Sequence, residues 1–125
     1  MSLSPGPQVV HLELHTPNLG RACAFYSGLL GWRPERIDAA GWPYQALDLG
    51  GGFGGGIVEC GTERPLWLPY APVEEIGAAT SRAERLGATV MLGPREGPAG
   101  WRSVVAGPDA GEVALWQSKE PAPGR

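Results

Sequence analysis

The chain reads as an α+β domain built from two successive βαβββ modules. Three observations lead there. The hydrophobic period switches from two to about 3.6 and back, twice along the chain. A Leu-Gly helix stop at Leu30-Gly31 recurs at Leu86-Gly87, an offset of 56 (86 − 30). Each half also holds one helical and four strand segments in roughly 55 residues, too little sheet to bury a face alone, so the halves belong to one domain.

Residues 8–16 (QVVHLELHT) alternate, with Val10, Leu12 and Leu14 on one face and His11, Glu13 and His15 on the other. That is a half-buried strand. Pro17-Asn18 stops it, and Asn18 caps a helix over 19–30. Leu19, Ala22, Cys23, Tyr26, Leu29 and Leu30 form its apolar stripe, and Gly31 ends it. Short strands follow near 32–37, 43–49 and 55–60. The run 50–56 (GGGFGGG) is followed by strand residues and not by a helix N-terminus, so it reads as a hairpin turn and not as a phosphate loop.

The second half repeats the plan. Residues 66–71 read as a strand, Glu74-Glu75 open a helix whose Arg82 and Arg85 lie toward its C-terminus, and Gly87 ends it. Strands follow near 88–92, 101–106 and 111–117. Aligning Thr16-Pro17-Asn18-Leu19 with Val73-Glu74-Glu75-Ile76 gives an offset of 57 (73 − 16), so a one-residue gap inside the helix reconciles it with the Leu-Gly repeat. Module one spans 8–61 and module two 66–117, between polar, Pro-rich ends at 1–7 and 118–125 that are expected to fray.

Composition narrows the function. Net charge is −3 with no long basic run, which argues against a nucleic-acid surface. No apolar stretch reaches the ~18 residues of a membrane span, and the first residues lack the charged and apolar regions of a secretory signal. Cys23 and Cys60 make no disulfide framework and no metal-binding pair motif. A cytoplasmic domain is expected.

HLELHTPNLGRACAFYSGLLGW (11–32), WLPYAPVEEIGAATSRAERLGA (67–88) and GPDAGEVALWQ (107–117) together resemble the vicinal oxygen chelate superfamily, also called the glyoxalase/bleomycin-resistance/dioxygenase superfamily, in its glyoxalase-like branch. The resemblance covers about 8–117. It implies that the modules form a curved, cup-like mixed sheet with helices packed outside, that the chain is a homodimer, and that the cup takes a small organic molecule. Metal enzymes of the family place His, Gln or Glu ligands on the first and last strands of paired modules. Here those positions fall on His11 and on Glu59 in Ile57-Val58-Glu59-Cys60. The second-module equivalents are Trp67 or Leu68 and Ala114 or Leu115, none of them a nitrogen or oxygen donor. A catalytic Zn²⁺, Ni²⁺, Mn²⁺ or Fe²⁺ site needs about three protein donors. Glu112 enters only if the last strand slips, and His15 lies ~13 Å along the strand from His11, too far for one ion.

Glu13, with a histidine on either side, is the candidate catalytic base, and His11 and His15 are candidate ligand-binding residues. Trp42, Tyr44, Trp67, Tyr70 and Trp101 are candidate pocket walls, suited to planar or cationic ligands. Trp32 and Trp116, at element ends, read as core. The expected function is metal-independent binding of a planar or aromatic organic molecule, with no cofactor. The alternative is a metal-dependent lyase or dioxygenase using His11 and Glu59. A domain whose surface binds a protein partner is a third reading.

Overall fold

The computed structural model describes residues 9, 11–39, 42–50, 54–59, 65–97, 99–109 and 111–119, with side chains described for all of these except 37–39 and 42–44. The elements run β1 (His11–Thr16), α1 (Leu19–Leu30), β2 (Glu35–Ala39), β3 (Trp42–Asp48) and β4 (Gly54–Glu59), then β5 (Leu66–Pro72), α2 (Ile76–Arg85), β6 (Thr89–Glu96), β7 (Gly100–Ala106) and β8 (Glu112–Ser118). This is the expected α+β class, with βαβββ twice. Within module one the strand order is β2-β3-β4-β1, and within module two β5-β8-β7-β6. In each, the first and last strands pair in parallel and the remaining pairs are antiparallel. The chain divides into two compact units, one ending at Leu68 and the other continuing from Pro69, so the division falls inside β5. No described helix is long and apolar enough to cross a membrane.

Local chemistry explains both helices. Asn18 is the N-cap of α1, its side chain accepting from Arg21 N at 3.0 Å. Gly31 ends that helix at φ +72°, where any side chain is strained. Glu75 caps α2 by accepting from Ala78 N, and Arg82 and Arg85 occupy its last turn.

In the first unit, Leu14, Leu47 and Ile57 form a buried core against Leu19, Ala22, Cys23, Tyr26, Trp32, Leu49 and Trp67. Burial pushes the Cys23 thiol above its ordinary value. The stripe expected on α1 ends early: Leu29 and Leu30 are exposed, and Trp32, returning from the Gly31 turn, stacks on Tyr26 at 5.5 Å. In module two, Thr80 of α2 shares a buried hydrogen bond with Ser103 of β7 at 2.8 Å.

Two element edges differ from expectation. β4 begins at Gly54, one residue before the strand expected at 55–60 and inside the run also read as a turn, and a Cβ on Gly55 would strike the Leu12 carbonyl oxygen and come within 2.8 Å of Leu49 Cδ1. Ser118 ends β8, and Lys119 continues it in contact: its N–H donates to Ala99 O at 3.0 Å and its Nζ lies 2.7 Å from Glu96.

The pairing also fixes how the modules correspond. The N-caps Asn18 and Glu75 are 57 apart (75 − 18). Leu14 pairs with Ile57 and Ala71 with Leu115, so first strands are offset by 57 (71 − 14) and last strands by 58 (115 − 57). Glu59 therefore corresponds to Gln117, and not to Ala114 or Leu115. Their side chains do the same job: Leu19 N donates to Glu59 Oε1 at 3.0 Å, and Ile76 N to Gln117 Oε1 at 2.8 Å. Each last strand thus ties down the first N–H of its own module's helix. Glu59→Ala is expected to cost about 1 kcal/mol in urea unfolding and Glu59→Gln less, because the amide oxygen still accepts. Equal stability of all three proteins would contradict the capping role.

Candidate functional site

Alternation on β1 sends Leu14 into the core under α1 and puts His11, Glu13 and His15 on the other face of the strand. Glu13 is only 6% exposed. Its Oε2 accepts from His11 Nε2 at 3.1 Å and its Oε1 from His15 Nε2 at 2.8 Å. A carboxylate only accepts, so both rings donate from Nε2. The sequence places the two histidines too far apart to share an ion. The structure shows that their side chains nonetheless reach a shared residue between them.

The neighbouring strand offers this group nothing to coordinate with. Glu13 pairs with Gly56, which has no side chain, and His15 pairs with buried Val58. Glu59 pairs with Thr16, five residues beyond His11, so the two lie roughly 16 Å apart along the strands. Glu59 is also turned to the α1 N-terminus. The equivalent of His11 in module two is Leu68, 2% exposed, and Gln117, the equivalent of Glu59, turns its oxygen to the first N–H of α2. A divalent ion needing three or four donors does not fit this set. Among the described residues no group of three His, Cys, Asp or Glu side chains is placed to hold one.

The aromatic candidates separate. Trp67 packs under α1: its Nε1 donates to Tyr26 OH at 3.0 Å, and its ring stands edge-on to Tyr26 and Trp32. Trp101 precedes Ser103 by two residues and so shares the α2 side of β7, with Lys119 Nζ 5.3 Å from its ring. Tyr70 is buried on β5; its OH accepts from Arg102 Nη1 at 3.3 Å, and its ring lies 6.2 Å from Trp116. Sequence reasoning missed Arg102 and Trp116 here. The alternation in Gly100-Trp101-Arg102-Ser103 was the available signal, but it does not say which phase faces the helix. Trp42 pairs with Ala39 and Tyr44 with Val58 by register, while their side chains, and Cys60, lie outside the described residues.

A groove of about 400 Å³ lies beside α1, lined by residues including Leu14, Asn18, Ala22, Phe25 and Pro65. Leu14 and Glu13 face opposite sides of β1, so this groove is not the site of the His–Glu–His group.

No family model and no curated protein matches the sequence. Solved structures do match its fold. A hypothetical protein from Bacillus halodurans superposes with a TM-score of 0.64 at 14% identity, over 96% of this chain and 100% of that one. A Streptomyces coelicolor methylmalonyl-CoA epimerase variant in complex with 2-nitronate-propionyl-CoA gives 0.59 at 14% identity, over 91% and 99%. The methylmalonyl-CoA epimerase from Mycobacterium tuberculosis gives 0.55 at 16% identity, over 96% and 94%. At such identities the likeness is one of fold.

Proposed function

We propose that this chain binds a small planar or aromatic organic molecule without a metal, beside an acid–base group formed by Glu13 with His11 and His15. The observation that carries the reading is the buried Glu13 carboxylate with both oxygens taken by imidazoles, next to a glycine strand position without donors. Such a group orients and holds protons in a site of low dielectric. Module two adds support of its own, since Tyr70, Trp116 and the Arg102 guanidinium form a group suited to flat or anionic rings. A homodimer, the arrangement the resemblance implies, belongs to the same reading, and gel filtration at low concentration tests it.

The metal-dependent lyase or dioxygenase reading draws on the fold likeness alone, and the placement of His11 and Glu59 speaks against it. Thermal unfolding of the whole chain against planar aromatic carboxylates and phenols tests the binding proposal. A ligand at 100 times its Kd stabilises by about 2.7 kcal/mol, a clear rise in Tm. Stabilisation by one such class, weakened by Glu13→Gln, is expected. No shift with any aromatic compound would contradict the proposal.

A further inference from the structure

We infer that His15 is the group that takes up the proton, and that Glu13 acts behind it as a positioning residue. The inference deepens the acid–base reading of this strand and rests on it. Glu13 is poorly placed to act as the base itself. Its side chain is 8% exposed and each oxygen already accepts from an imidazole, so little of the carboxylate is open to a ligand. His15 is placed well. Its Nε2–H points at Glu13 Oε1 at 2.8 Å, the shorter of the two contacts, which in the neutral ring leaves the lone pair on Nδ1. No partner for that Nδ1 is found among the described residues. Nor, among the described residues, is there a buried side-chain nitrogen or oxygen lacking a partner. Nδ1 is therefore within reach of solvent or a ligand, even though the ring is 12% exposed.

A buried carboxylate behind an imidazole fixes its tautomer, aims its free nitrogen and stabilises the imidazolium once formed. His11, on Oε2, keeps the carboxylate from turning away. Val58, the β4 partner of His15 in register, is apolar and buried. The step is a proton transfer. The Nδ1 lone pair forms the new N–H bond, and the electron pair of the ligand's O–H or acidic C–H bond stays on the ligand. The proton then returns to the ligand or leaves to solvent. Nothing is oxidised or reduced.

Long-range ¹H–¹⁵N spectra of the labelled whole chain, at a pH where the imidazoles are neutral, test this without any ligand. His15 is expected to carry its proton on Nε2. A proton on Nδ1, or an even mixture, would overturn the inference. Diethyl pyrocarbonate, which acylates an unprotonated ring nitrogen, gives a second readout with peptide mapping. His15 is expected to react in the native protein and about tenfold more slowly in Glu13→Gln. An unreactive native His15, or equal rates in the two proteins, would count against it. Because neither measurement uses a ligand, both stand or fall apart from the thermal screen, and if Glu13→Gln does not fold, the native tautomer still decides.

Discussion

Gly100→Ala is expected to destabilise the protein by about 3 kcal/mol, at the upper end of what overpacking usually costs. Gly100 opens β7 and pairs with Ser118. A Cβ there would run into the Gln117 carbonyl oxygen and approach Trp116 Cζ2 to 2.9 Å. The carbonyl is backbone and cannot swing aside. Relief requires lifting β7 from β8, and that disturbs Gln117, whose side chain holds the first N–H of α2. One methyl therefore strains both a strand pair and a helix start. The urea midpoint should fall with the slope unchanged. Gly93→Ala is the control: nothing lies within 4 Å of its Cβ position, and its effect should stay within about 0.5 kcal/mol. Similar behaviour of the two variants would show that the β7–β8 contact is looser than described.

Ile57→Ala is expected to cost about 3–4 kcal/mol, and Ile57→Val about 1. Ile57 is fully buried and centres the core with Leu14 and Leu47. Truncation removes its transfer energy and leaves a cavity between β4 and α1 that a strand held on both sides cannot close. The side chain faces the helix, as Leu14 does, whereas Glu13 and Gly56 face the other way. The variant should therefore lose stability while His15 keeps its tautomer. Loss of that tautomer in a folded Ile57→Ala protein would mean that the two faces are coupled.

The same facing rule separates what the sequence tells from what it hides. Helix 19–30 is legible because Asn18, the apolar stripe and Gly31 all act locally, and the structure gives those limits. The phase of β1 is equally plain, since Leu12 and Leu14 fall on one side and His11, Glu13 and His15 on the other. On β7 both faces carry mixed chemistry, so Trp101 and Arg102 exchange roles until Ser103 is seen bonded to Thr80. The module-two equivalent of Glu59 is misplaced for another reason. Ala114 and Leu115 lie 55 and 56 residues beyond Glu59, whereas the last strands are offset by 58, and nothing in the local pattern marks the residues gained before the last strand. Strand spacing, finally, measures Cα positions, whereas histidine and glutamate side chains are long enough for His11 and His15 to meet at Glu13.

Metal retention puts the acid–base account to its most direct test. The whole chain is loaded in turn with Zn²⁺, Ni²⁺, Mn²⁺ and Fe²⁺, dialysed without chelator, and analysed for bound metal. If the histidines of β1 serve Glu13 and not an ion, only traces should remain, and His11→Ala should change nothing. One ion per chain, lost on His11→Ala, would contradict the account.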